Sequence, residues 1–356
     1  MTDPQEAGRP PVGRVPRRSA RIPWDRTLRG AIAMGWSVGL ALLTQVDAST
    51  ALVVGGLSAI NGDHSGPRQA RLARLGAVAV GGTAGITLGT LVHHSGWPQV
   101  LAMTTAALLA AVAAAEGPVG QLGGVKLMLL TAIGVGMNGA APAWQSGLLF
   151  LLGLAPMALL LLPAFLARPA RIAPARIAPV RRLARVRRPR VPWLDVARLT
   201  ACVGTAALVA NLVHPAYAHW LPLTAIMICR LDRAEQTSRL KHRAAGTALG
   251  ALMVLAVAAA APHGWELLLL ALVVGTVLPG ATDAAYTFHT GLVTVIVLVL
   301  ADPTVATPPV ALRARVADTA VAALIVALFT IDWWSLGRGR HAAGRGGGPA
   351  DANAAN

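Results

Sequence analysis

The chain has 356 residues, of which 55% are hydrophobic and only 13% are charged, and its formal net charge at pH 7 is +16. Because a soluble domain carries about a quarter charged residues, this composition excludes an ordinary soluble protein and indicates a membrane protein. The positive charge alone would suggest a nucleic-acid partner. The arginines, however, lie at the ends of apolar segments without a basic and aromatic face, so we predict no nucleic-acid binding.

Twelve apolar segments follow one another along the chain, six in each half. In the first half they cover residues 30–46, 49–62, 72–92, 98–115, 122–138 and 144–166. In the second half they cover residues 197–213, 218–230, 243–261, 264–279, 285–301 and 313–334. The sequence therefore predicts an all-α integral membrane protein with about 12 transmembrane helices, arranged as two six-helix repeats.

The two halves share residues at a constant spacing of 169 positions. The matching pairs are Pro23 and Pro192, Trp24 and Trp193, Arg29 and Arg198, Gly35 and Gly204, and Asp63 and Asp232. Two related membrane units joined by a hinge are typical of transporters, in which the halves move about a site at their interface. The repeat therefore favours transport over chemical transformation.

Five regions follow from these patterns. They are a basic cytoplasmic arm at 1–29, a first membrane repeat at 30–166, an Arg/Pro-rich cytoplasmic hinge at 167–196, a second membrane repeat at 197–336, and a disordered tail at 337–356. The hinge holds nine arginines and no acidic residue between Arg168 and Arg190. We expect it to contact the anionic lipids of the inner leaflet.

The basic residues also predict the orientation. With the N-terminus inside and twelve spans, all but two of the 31 Lys and Arg residues fall on the cytoplasmic side, Lys126 among them. The two exceptions are Arg313 and Arg315. We therefore predict a multi-pass protein of the bacterial plasma membrane with both termini in the cytoplasm.

The second apolar segment of each half is the shortest, and its copy in the second half contains Pro222. Short or interrupted segments at matching places in two halves indicate a binding site. The alternative is a tilted or half-buried helix that its neighbours shield from lipid.

A distinctive motif begins at this short segment. Trp220, Pro222, Leu223 and Thr224 are followed by a charged turn with Arg230 and Arg239, then by Arg243, Gly246, Thr247 and Gly250. A related pattern in the last segment consists of Arg315, Asp318 and Thr319. The stretch from Trp220 to Gly250 resembles the FUSC family of bacterial membrane proteins, the fusaric acid resistance and aromatic acid exporter group, to which plant aluminium-activated malate transporters are related.

The resemblance implies efflux of small organic anions, typically aromatic carboxylates. The residues expected along the substrate path are Trp220, Thr224, Arg230, Arg239, Arg243, Thr247, Arg313, Arg315 and Asp318. Two alternatives stay open. Gly246 and Gly250 share a helix face that either packs within the chain or permits a homodimer, the assembly that related proteins adopt. Asp318 is either the ion-pair partner of Arg315 or a proton carrier.

We therefore expect a gradient-driven exporter of organic anions, with a passive anion channel or a structural membrane protein as alternatives. The sequence has no Gly-rich loop of the type that binds ATP phosphates, and no cluster of carboxylates or histidines at one membrane face, so we predict no enzyme activity. We also predict no catalytic residue, cofactor or metal. Cys202 and Cys229 lie in apolar segments, and adjacent His93 and His94 point to different helix faces.

Overall fold

The computed structural model describes most of both halves of the chain. The described residues are 24–44, 49–62, 67–137, 141–166, 193–213, 219–229, 264–284, 286–301, 308–330 and parts of the segment 242–257. Among these residues helices alternate with short turns, and no strand occurs. The prediction of an all-α protein is confirmed.

Eleven helices have defined bounds in this part of the chain. In the first half they are α1 (Trp24–Thr44), α2 (Ser49–Gly62), α3 (Arg68–Leu91), α4 (Trp97–Ala114), α5 (Pro118–Gly136) and α6 (Ala143–Leu166). In the second half they are α7 (Trp193–Val213), α8 (Trp220–Ile228), α9 (Gly264–Ala284), α10 (Tyr286–Ala301) and α11 (Pro308–Thr330). The described residues of segment 242–257 are helical as well.

Glycine and proline mark the starts of two first-half helices. Gly96 precedes α4 with φ of 71°, and Gly117 precedes α5 with φ of 105°. These backbone angles are accessible to glycine without the steric cost that other residues incur. Pro98 and Pro118 follow in the first turn, where proline loses no intrahelical hydrogen bond. The local sequence therefore explains both turns.

Six described helices are long and apolar enough to cross a membrane. They are Trp24–Thr44, Gln69–Leu91, Trp97–Ala114, Pro118–Gly136, Ala143–Leu162 and Trp193–Val213. A soluble protein does not carry six such helices, so the chain is a multi-pass membrane protein. Five of these helices belong to the first half and one to the second. The total of twelve spans stays a prediction.

Among the described helix pairs that join the two halves, two are equivalent to each other. Helix α1 packs against α9, and α7 packs against α4. In each pair, the first helix of one half meets the fourth helix of the other. Within each half, the first helix also contacts the second and the sixth.

The two short helices lie in the interior. Helix α2 has 14 residues and packs against α1, α3, α6 and α9, and its residues 51–60 are all buried. Helix α8 has nine residues and packs against α5, α7 and α11, and all of them except Met227 are buried. Neighbouring helices therefore shield both short segments from lipid. This agrees with the second interpretation of the short segments, a half-buried helix covered by its neighbours.

Glycines bring α3 very close to α5. A Cβ added at Gly85 would come within 2.5 Å of the carbonyl oxygen of Leu127, and one at Gly89 within 2.9 Å of the Cα of Gly134. Small residues let two helix backbones approach in this way. This pair has the most extensive contact in the described structure.

The cytoplasmic placement of Lys126 is wrong. Lys126 lies in the middle of α5, and its side chain is only 6% exposed. The apolar residues on both sides of Lys126 continue the helix through this position. Its amine can be buried there because the Ser58 oxygen accepts a hydrogen bond from it. Lys126 is therefore an interior residue of a candidate membrane span.

Candidate functional site

Two of the predicted path residues lie on the buried helix α8. Trp220 is 2% exposed and Thr224 is 3% exposed. The Thr224 hydroxyl donates a 3.0 Å hydrogen bond to the carbonyl oxygen of Trp220, one turn earlier. Because the donor of this hydroxyl is used within its own helix, Thr224 retains only acceptor capacity toward a substrate.

Asp318 is the third described path residue, and it is buried in the middle of α11, with 5% exposure. Helix α11 packs directly on α8 and α7. The structure thus brings the helix of Asp318 into contact with the helix of Trp220 and Thr224. A carboxyl group at this depth is costly to ionise, and residues of this kind in membrane proteins usually face a partner or a polar path.

The glycines of the second-half motif form a packing contact with α10. A Cβ at Gly246 would come within 2.6 Å of the carbonyl oxygen of Thr287, and one at Gly250 within 2.7 Å of that of Gly291. This helix face is therefore occupied within the chain. Of the two roles left open for it, the structure shows the internal packing contact.

The remaining predicted path residues lie outside the described part of the structure. Arg230, Arg239, Arg243 and Thr247 are not among the described residues, and only the backbone of Arg313 and Arg315 is, within α11. A described counterpart of Arg243 exists in the first half. Arg74 lies 169 positions earlier, on the second turn of α3, and its Nη1 atom is buried.

His219 was not predicted as part of the site. It is buried just before α8, and its ring lies 4.7 Å from the ring of Trp220, between centroids. A Cβ at Gly136 would come within 2.6 Å of the His219 Cγ atom, so the ring packs directly on the end of α5. In the sequence, only its position directly before Trp220 pointed to a place in the site. Its contact with Gly136 could not be predicted, because the two residues are 83 positions apart.

Two further histidines lie at the same end of α5. The Nδ1 atom of His93 is 2.6 Å from the carbonyl oxygen of Val135, and the rings of His93 and His94 are 3.9 Å apart between centroids. Partial burial, and then the neighbouring His93, lower the pKa of His94 from its usual value of 6.5. In the proposed orientation this is the outer end of the bundle.

The described residues contain no group of three His, Cys, Asp or Glu side chains close enough to hold a metal ion. Cys202 on α7 and Cys229 at the end of α8 are both buried and not joined by a disulfide. Both lie in the interior where α7 packs against α8. They thus behave as soft interior residues, as their apolar segments indicated.

Comparison with known proteins identifies the region that contains the short helix α8. Residues 205–329 match the family model of fusaric acid resistance protein-like sequences. Residues 205–329 are a FUSC-like region. The match extends from α7 into α11, and it includes Trp220, Thr224 and Asp318. It confirms the resemblance seen in the motif, and with the membrane helices it indicates a membrane transporter.

Residues before 205 lie outside the FUSC match, so the match says nothing about the first membrane half. No curated protein and no solved structure matched the chain.

Proposed function

We propose that this protein exports small organic anions, among them aromatic carboxylates, across the bacterial plasma membrane by a secondary, gradient-driven mechanism. The FUSC match over residues 205–329 supports a role in transport or resistance. The observation that carries the proposal further is the burial of Asp318 within the matched region, on the helix that packs against α8. An ionisable group at that depth is suited to couple the movement of a proton to that of an anion.

The proposal includes a membrane domain of twelve helices in two six-helix repeats. Three features support it. Helices α1 and α7 are both 21 residues long and begin 169 positions apart, at Trp24 and Trp193. The contacts α1 with α9 and α7 with α4 are equivalent under exchange of the halves. Gly81 and Gly250, also 169 positions apart, both face the backbone of the fifth helix of their half.

In this proposal the cytoplasmic side carries both termini and the Arg-rich hinge, which binds anionic lipids. Trp24 and Trp193 are 70% and 65% exposed at the starts of equivalent helices, where tryptophan commonly anchors a helix at the membrane interface. Dimerisation would use a lipid-facing surface of the bundle, because Gly246 and Gly250 already contact α10.

The decisive experiment measures accumulation of labelled benzoate and related aromatic carboxylates in cells with and without the protein. The same cells are then measured after the proton gradient has been collapsed. Lower accumulation in expressing cells, restored by the collapse, is the expected result. Equal accumulation across the whole panel, at verified membrane levels of the protein, would contradict anion export.

A passive channel gives a different result in the same assay. Its flux follows the gradient of the anion and the membrane potential, and it is insensitive to the proton gradient when the potential is clamped. Electrical recording of purified protein in planar bilayers would detect such flux as current. A structural protein without transport activity would give neither export nor current.

A further inference from the structure

Lys126 is a basic residue in the interior of the first half, which the FUSC match does not cover. It is the ninth of the 19 residues of α5, so about 12 Å of helix precedes it. Its side chain is 94% buried, and it lies within a candidate membrane span. A lysine near a helix end can extend its amine to the membrane surface, but burial in the middle of the helix places this amine inside the bundle.

The amine of Lys126 reaches a different helix. Its Nζ atom is 3.5 Å from the Oγ atom of Ser58, which is buried on α2. One turn farther along α2, Gly62 faces Val78 of α3, so this side of α2 is turned toward α3. The amine therefore lies in the region enclosed by α2, α3 and α5.

Within the described part of the chain, the polar surroundings of Lys126 satisfy its amine only in part. An ammonium group has three donors, whereas the contact with Ser58 is a single hydrogen bond at the long end of the range. Among the residues that the structure describes, no acidic side chain forms an ion pair with Lys126. A buried cation without a counter-ion is strongly unfavourable, and an anion that reaches it removes that penalty.

The neighbouring side chains are apolar. Leu130 lies one turn after Lys126 on α5, and its Cδ1 atom lies beside Gly82 of α3, next to the ring of Phe150. The amine and the hydroxyl thus lie beside packed aliphatic and aromatic side chains, which are chemically compatible with a carboxylate on a hydrocarbon body. The position equivalent to Lys126 in the second half, 169 residues later, is the buried Val295, so only the first half offers this group.

We propose that Lys126 and Ser58 bind the carboxylate of the exported anion between α2, α3 and α5 of the first half. This inference rests on the proposed anion export. Lys126 provides the positive charge and donates hydrogen bonds to one carboxylate oxygen, while Ser58, whose oxygen accepts from Lys126, donates its hydroxyl proton to the carboxylate. The anion site would thus lie partly in the half that the FUSC match does not cover.

The test is binding of radiolabelled benzoate to the full-length protein in lipid nanodiscs, independently of transport. Lys126→Met removes the charge at similar length and is expected to weaken binding at least about tenfold, as loss of a charge-assisted hydrogen bond predicts. Lys126→Arg keeps the charge and should bind within about threefold of the original protein. Ser58→Ala should weaken binding about threefold, as expected for one neutral hydrogen bond.

The matched control is Arg198→Met, which also removes one positive charge, from a partly exposed ion pair with Asp195 at 3.6 Å. It should leave benzoate binding unchanged. Size-exclusion profiles and melting temperatures establish that each variant is folded. Equal binding by Lys126→Met and the original protein would overturn the proposed site.

Flux of benzoate in proteoliposomes separates this inference from the proposed function. Transport that is unaffected by Lys126→Met, with binding equally unaffected, removes the site and leaves anion export in place. Binding that depends on Lys126, in a protein that moves no anion, supports the site and contradicts export. A protein that neither binds nor moves any carboxylate of the panel contradicts both.

Discussion

The two membrane halves share a pattern of helix contacts but differ in their buried charges. The first half buries Lys126 on its fifth helix, and the second buries Asp318 on its sixth. The residues at the equivalent positions, Val295 and Leu149, are apolar. Both halves keep the same helix contacts, because packing requires small residues and apolar surfaces in each of them. A charge serves only where a particular chemical step needs it, so the two halves can divide anion binding and coupling between them.

The helix contacts differ in a second respect. In the first half, the atoms that face Gly85 include the backbone of Leu127 and Thr131, whereas Gly250 faces both the backbone of Gly291 and the side chain of Thr294. A backbone atom on a helix cannot move without shifting the helix, while a side chain can change its rotamer. The first-half contact should therefore tolerate larger residues less well than the second.

Replacement of these glycines should give the largest effect. Gly85→Val is expected to destabilise the protein by about 1–3 kcal/mol through overpacking, and Gly250→Val by less. Melting temperature and the yield of monodisperse protein in detergent measure both. Gly76→Val is the control on the same helix, since nothing lies within 4 Å of a Cβ at Gly76. Equal losses for Gly85 and Gly250 would show that the two contacts are equally rigid.

Substitution of the second-half charge tests the division of roles. Asp318→Asn should lower net export driven by a proton gradient by about tenfold, because a permanently neutral side chain cannot carry the proton. Exchange of labelled for unlabelled anion should persist, since it needs no net proton movement. Both rates are measured in proteoliposomes. Glu266→Gln, in the first turn of α9, is the control. Loss of both rates would indicate that Asp318 has a structural role instead.

Two arginines at equivalent positions test whether the halves also share a role. Arg74 on α3 and Arg243 are 169 positions apart. We expect Arg74→Ala and Arg243→Ala each to lower export about threefold at equal membrane levels, because both remove positive charge that attracts anions on the cytoplasmic side. Arg198→Ala removes a charge on the same side outside the predicted path, in an ion pair with Asp195, and it is the control for a general loss of positive charge. An effect at Arg243 alone would show specialised halves, and no effect at either would remove both from the path.

The smallest effect concerns the turn after α3. The pKa of His94 is lowered by burial, so the folded protein binds a proton there less readily than the unfolded chain does. The stability that neutral His94 contributes is present above pH 6.5 and is lost as the pH falls through the lowered pKa. The melting temperature should fall slightly more at acid pH for the original protein than for His94→Asn.

Asparagine suits this substitution because His94 has φ of 51°, a conformation that asparagine tolerates. Identical pH profiles for the two proteins would exclude a contribution of His94. His93, whose Nδ1 atom lies 2.6 Å from the Val135 oxygen, should be left unchanged in this comparison.

The positions of the helices could be predicted from the apolar segments, whereas several contacts could not. Helix α2 was predicted at residues 49–62, where the structure has it. Helix α11 begins at Pro308, five residues before the prediction, because proline in the first turn can start a helix even where the sequence is not strongly apolar.

The candidate site was only partly predictable for a related reason. The motif around Trp220 identified α8 correctly, since the residues that define it are adjacent in the chain. Lys126 was assigned to the cytoplasm because basic residues usually lie outside the membrane. Its contact with Ser58 joins residues 68 positions apart, and no local pattern encodes a contact over that distance. A charge within an otherwise apolar segment was the available signal.

The length of α8 has a consequence for the electrical behaviour of the protein. Nine residues rise about 14 Å, less than half of the roughly 30 Å hydrocarbon core. Where water enters from both sides toward such a short helix, the transmembrane voltage falls mainly across its length. A charged ligand that passes α8 would then sense most of the membrane potential within one short step. An interior-negative potential would accelerate outward movement of an anion, and depolarisation alone would slow it.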